Sequence, residues 1–160
     1  MLLSATAQKL QAMGVQTLGV VASTPERTHL YFRFRPPRMR VGADPDLVTH
    51  RAYGLPNMVP TAELTAELWQ AVGVAAAKEL EHRVPASEAY QALGRLDGYR
   101  VEEPDLAQSQ QNQGQLTGQF LVDRDGLVAW ANVECARDGI AGVGQFPSDE
   151  ELLAAARALR

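Results

Sequence analysis

The 160 residues fit one domain that buries a core without staples, and a hydrophobic share of 46% with 21% charged residues is the balance of a soluble globular protein. A net charge of −4 excludes a general binder of nucleic acid or of anionic membranes, and no apolar run approaches the roughly 18–20 residues of a membrane span. The first ten residues lack a basic region and a continuous apolar stretch, so no signal peptide is expected. The single cysteine, Cys135, forms neither an internal disulfide nor a Cys-x-x-Cys pair, which fits a reducing, cytoplasmic setting.

Leu2, Leu3, Thr6, Leu10 and Met13 recur near helical spacing among good helix formers, and Gly14 follows as a left-handed stop. Val15–Val21 is rich in β-formers and apolar at its end, which predicts a strand buried on both faces. Thr24-Pro25-Glu26 starts a helix as N-cap, first-turn proline and favourable acid, and Pro36-Pro37 stops it after Arg35. Met39–Ala43 is a short strand. Asp44-Pro45 opens another helix by the same capping logic, with Gly54 as terminator. Alternation of this kind predicts crossovers on a parallel sheet.

The rhythm breaks from Pro56 to Gln115. One helical pattern runs from Thr61 to about Leu80, with Leu64, Leu68, Val72 and Ala75-Ala76 on a face and Trp69 beside it. A second runs from about Ser87 to Leu96 through Ala89, Tyr90 and Leu93. The favoured role for these helices is packing, with a partner or small-molecule surface as the alternative. The glutamine-rich stretch up to Gln115 reads as an exposed connection.

Gly118–Val122 and Leu127–Glu134 flank the polar turn Asp123-Arg124-Asp125-Gly126, which predicts a hairpin with Gly126 at positive φ. After a glycine-punctuated loop, Ser148-Asp149-Glu150-Glu151 has the form of a capping box. It launches a final helix with Leu152, Leu153, Ala156 and Leu159 on one stripe.

Four stretches, "LQAMGVQTLGVVAST", "VGADPDLVTHRAYGL", "GQFLVDRDGLVAW" and "GQFPSDEELLAAARAL", resemble in order and spacing the alkyl hydroperoxide reductase/thiol-specific antioxidant group, the peroxiredoxin-like or redoxin family of the thioredoxin-like fold. The resemblance covers most of the chain outside 56–115. It implies an α/β fold: a single thioredoxin-like three-layer sandwich over 1–160 with a mixed sheet, incomplete at the N-terminus, with a helical insertion at 56–115. It also implies kinship with thiol-dependent antioxidant oxidoreductases and a thiol reductant as partner.

Two departures bear on activity. In the family the reactive cysteine sits at the start of the helix that here begins at Leu2, where a helix N-terminus stabilises the thiolate. Cys135, beyond the second hairpin strand, does not inherit that place. Thr117 occupies the position where the family carries an arginine or a cis-proline, and it offers a hydroxyl but no cation. The family's central strand is also missing. The strand at 15–21 could then pair directly with the hairpin, a homodimer mate or partner chain could complete the sheet, or the natural protein could continue upstream; the last is the expectation. Three functional readings stay open: an oxidoreductase whose cysteine lies upstream, a non-catalytic binding or dimerising module, and a one-cysteine switch at Cys135. Packing as a small half-buried residue is the favoured reading of Cys135 itself.

Arg33, Arg35, Arg38 and Arg40 form a basic cluster in an acidic chain, read first as a solvated helix end and otherwise as an anion or acidic-partner site. His29, His50 and His82 have no metal-ligand spacing, and His50-Arg51 is placed on an exposed or half-exposed helix side. Asp123 and Asp125 are explained by turn chemistry. No phosphate-binding glycine motif, nucleophile elbow, metal set or cofactor signature is read.

Overall fold

A computed structural model describes residues 2–57, 61–81, 83–112 and 114–159. The chain is mixed α/β and divides into two units. The first comprises Met1–Pro56, Thr117–Val133 and Phe146–Arg160, the second Asn57–Leu116 and Glu134–Gln145.

In the first unit, helix α1 (Leu2–Ala12) ends at Gly14, which takes φ +82° as its lack of a Cβ allows. Thr6, Ala7 and Leu10 are buried, whereas Met13 lies past the helix end and is exposed. The side chains of Leu2 and Leu3 lie outside the described set. Strand β1 (Leu18–Val21) runs parallel to β2 (Arg40–Ala43), in the register Leu18 with Arg40 through Val21 with Ala43. Helix α2 (Pro25–Phe34) makes the crossover between them. Its cap is the predicted one: Thr24 Oγ1 accepts the Arg27 backbone N–H at 3.3 Å and Pro25 fills the first turn.

Helix α3 (Val48–Ala52) starts three residues later than the Asp-Pro signal predicts. Asp44 still accepts backbone N–H groups, but residues 45–47 form a turn, with Leu47 left-handed at φ +55° and buried. The hairpin forms as predicted. Strand β3 (Gly118–Val122) pairs antiparallel with β4 (Val128–Val133), Leu121 facing Trp130, with a register shift after Leu121. Asp123 Oδ1 accepts the N–H groups of Asp125 and Leu127, and Gly126 takes φ +83°.

Helix α7 (Asp149–Arg157) closes the unit, counting the second unit's helices as α4–α6. Ser148 Oγ accepts the Glu151 N–H at 3.1 Å, the cap that its sequence predicts. Leu10, Leu121 and Ala156 form the buried core, with Val15, Trp130, Leu153 and Leu159 packed around it. Burying one such leucine contributes about 2 kcal/mol. Helix α1 is held on two opposite sides. Thr6 and Lys9 bond Asp149 on α7, while Ser4, Gln8 and Gln11 bond Arg38 in the α2–β2 connection.

The sheets differ from expectation. β1 does not pair with the hairpin: two separate two-stranded sheets form, β1–β2 and β3–β4. β1 is also not buried on both faces; Leu18 is 67% exposed and the other three residues are half-buried. A two-stranded sheet has too little area to be covered on both sides.

In the second unit, α4 (Ala62–Glu79) and α5 (Ala86–Asp97) pack as an antiparallel-order helical pair through small residues. Ala76, Ala77 and Ala89 are its buried centre, with Leu80 and Leu93 against them. Gly73 makes the approach close: a Cβ there would lie 2.4 Å from the Ala86 carbonyl oxygen. Leu68 and Val72 are half-buried, Trp69 is 57% exposed and meets Tyr90 edge-on at 5.7 Å. The side chains of Leu64, Ala75 and Leu96 lie outside the described set. The glutamine-rich stretch is not a bare connection. Residues Glu103–Asn112 form helix α6, started by Asp105, which accepts the Glu102 N–H at 2.9 Å and the Tyr99 hydroxyl at 2.8 Å. Alanine, leucine and glutamine hold a helix once its first turn is capped.

Candidate functional site

The most organised polar centre of the first unit lies where β2 gives way to α3. The Asp44 backbone N–H donates to the Val21 carbonyl at 2.8 Å, tying the turn to the end of β1. Its side chain then faces the start of α3. Oδ1 accepts the Val48 N–H at 2.8 Å; Oδ2 accepts the Thr49 N–H at 2.8 Å and the His50 N–H at 3.3 Å. His50 Nδ1 lies 3.0 Å from the same Oδ2. Both residues are buried, so His50 is not on an exposed or half-exposed helix side as its sequence position suggests. The late start of α3 turns the imidazole inward. Burial alone would raise the Asp44 carboxyl, but the His50 side chain and the three backbone donors outweigh it and hold it at about 2.

Beyond α3 the chain delivers an aromatic contact to the hairpin. Gly54 turns the backbone at φ +69°, and the Leu55 N–H returns to the His50 carbonyl at 2.9 Å. The Tyr53 ring lies 4.7 Å from that of Phe120, tilted by 54°. Thr117, half-buried, precedes Gly118 at the base of β3. A Cβ on Gly118 would fall 2.5 Å from Leu55 Cδ2 and 2.7 Å from Phe120 Cε2. The backbone at Gly118, next to Thr117, is therefore shut in by apolar groups.

Cys135 belongs to the second unit and Thr117 to the first. Cys135 opens the loop after β4 in a left-handed conformation, φ +63°, and is half-buried. Its carbonyl accepts the Gly139 N–H at 3.1 Å, ahead of a 3₁₀ turn at Gly139–Gly142. Gly142 packs on its backbone: a Cβ there would sit 3.3 Å from the Cys135 Cα. Glu134, buried, accepts the Gly144 N–H at 2.7 Å and so closes the loop. Burial first, and then the Glu134 carboxylate, push the Cys135 thiol above its ordinary value. Both causes oppose the thiolate, the reverse of what a nucleophilic cysteine needs.

The remaining candidates separate cleanly. Arg35 folds back over the Tyr31 ring, its guanidinium 5.1 Å from the ring centre, while Arg33, Arg38 and Arg40 are exposed. His29 is exposed on α2, and His82 lies outside the described residues. Among the described residues no three His, Cys, Asp or Glu side chains gather as a metal set, and no helix is long and apolar enough to cross a membrane. Sequence reasoning missed the Asp44–His50 pair. The signal for it was an aspartate at an expected helix start six residues before a histidine, close enough for one carboxylate to hold both a helix start and a ring.

No family model, curated protein or solved structure matches the chain.

Proposed function

We propose that this chain is a thioredoxin-like scaffold of the peroxiredoxin-like kind that acts by binding and performs no thiol catalysis with the residues it carries. The parallel β1–α2–β2 unit, the β3–β4 hairpin and the closing helix α7, in that order, support the fold part of the reading. One observation carries the functional part. The single thiol, Cys135, sits half-buried in the loop after β4, where burial and the Glu134 carboxylate push it above its ordinary value, and Thr117 supplies no cation where the family places one.

The test is peroxide consumption with thioredoxin, its reductase and NADPH, run beside a sulfenic-acid trap. The expected outcome is no turnover above that of Cys135→Ser and no trapped adduct. Cys135-dependent turnover would overturn the reading.

A second reading, that a mate completes the sheet, is favoured by the strand edges. Among the described residues each of the four strands has one neighbour only. A homodimer mate or partner chain adding a strand would satisfy such edges. Light scattering at increasing concentration tests the homodimer: a constant monomer mass removes it.

A further inference from the structure

The eight residues Arg33–Arg40 contain four arginines and no acid, in a chain whose net charge is −4. Their placement is fixed by structure. Arg33 lies in the last turn of α2, Arg38 in the connection that follows, and Arg40 at the start of β2. Pro36 and Pro37 remove two N–H groups and lock two φ angles between them. The connection is further pinned to α1: the Arg38 N–H reaches Ser4 Oγ at 3.4 Å, its carbonyl accepts from Gln11 Nε2 at 3.2 Å, and its guanidinium donates to Gln8. Arg35 is spent on Tyr31, by hydrogen bond and by stacking.

Arg33, Arg38 and Arg40 remain, all exposed, and among the described residues no carboxylate forms an ion pair with any of them. A solvated helix end accounts for Arg33, since a cation there suits the dipole. It does not account for Arg38 and Arg40, which follow the prolines. Guanidinium groups present planar forks that match carboxylates two bonds at a time. A stiff backbone also lowers the ordering cost of binding.

We infer that the arginine strap from Arg33 to Arg40 is a docking site for an acidic polypeptide segment. The charge of the rest of the chain selects the class. An acidic protein repels a long phosphate backbone, whereas a short run of glutamates and aspartates needs only a local basic patch. The inference stands independently of the thioredoxin-like reading.

The experiment measures the anisotropy of a fluorescein-labelled glutamate decapeptide titrated with the intact chain at low and physiological salt. Saturable binding that weakens with salt is expected. In Arg33→Gln/Arg40→Gln the affinity falls on the order of tenfold and the salt dependence flattens, with an unchanged melting curve because neither side chain holds the fold. Arg38→Lys, which keeps the charge but loses the fork, binds between the two. Absence of saturable binding, an unchanged affinity in the double variant, or tighter binding of a thymidine decanucleotide overturns the inference.

Discussion

The Asp44 carboxylate holds the His50 ring at 3.0 Å while the same oxygen accepts the His50 backbone N–H at 3.3 Å, so one side chain fixes both ends of one residue. The carboxyl's folded value, about 2, lies below its ordinary 3.8. The stabilisation is therefore fully present above about pH 4 and is lost as pH falls from about 4 toward 2. Its size is on the order of 1–2 kcal/mol after allowance for solvent screening. Asp44→Ala should lower stability by about 2 kcal/mol at pH 7 in urea unfolding, and its stability should fall less across the acid window than that of the parent.

Cys135 should alkylate slowly. With iodoacetamide, the rate should climb with pH to a midpoint above that of an ordinary thiol, because burial and the Glu134 carboxylate oppose the thiolate. Glu134→Gln keeps an oxygen for the Gly144 N–H and removes the charge, so the midpoint should move down. An unmoved midpoint would show that burial acts alone.

Gly73→Ala tests the helical pair. The added methyl would meet the Ala86 backbone oxygen at 2.4 Å, which cannot step aside as a side-chain tip can. Parting α4 from α5 should cost about 1–3 kcal/mol. Trp69, edge-on to Tyr90, reports it: the tryptophan emission should shift and the melting temperature fall.

The two helix caps should be separable. Thr24→Ala and Ser148→Ala each remove one side-chain acceptor from a helix start, for about 1 kcal/mol apiece. They serve different helices, so the double variant should lose the sum, within about 0.5 kcal/mol. A much larger loss would mean that α2 and α7 share a partner.

Local chemistry was the legible part of the sequence. Thr24, Ser148, Gly14, Gly54 and Gly126 each announce a cap or turn through their own side chain, or lack of one, and each does what it announces. Where a signal depended on distant partners, reading failed. Asp44 was expected at the N-cap, but that place falls to Leu47 in a left-handed turn; the Asp44 carboxylate reaches the N–H groups of Val48, Thr49 and His50 from three residues earlier, α3 starts late and His50 is buried. The third helix of the second unit was hidden because a run of glutamines has no apolar stripe to betray it. Of the candidate site, Cys135 was visible as a residue. Its high proton affinity was not, since it arises from a fold that brings burial and Glu134 together.

Asn57 and Gln115 form an isolated antiparallel bridge. The excursion they bound therefore leaves and returns at one gate, a doorway about 5 Å wide in a β-bridge. Such an excursion is open to trading: its helices can be lengthened, swapped or cut back to a short turn without changing the distance its two ends must span. The loop at 134–145, which belongs to the same unit, sets the limit on such surgery. A graft that removes α4 to α6 takes away Ala71, 3.6 Å from where a Cβ on Gly144 would sit, so the alkylation rate of Cys135 in the same loop would register whether the transplant had kept its native seat.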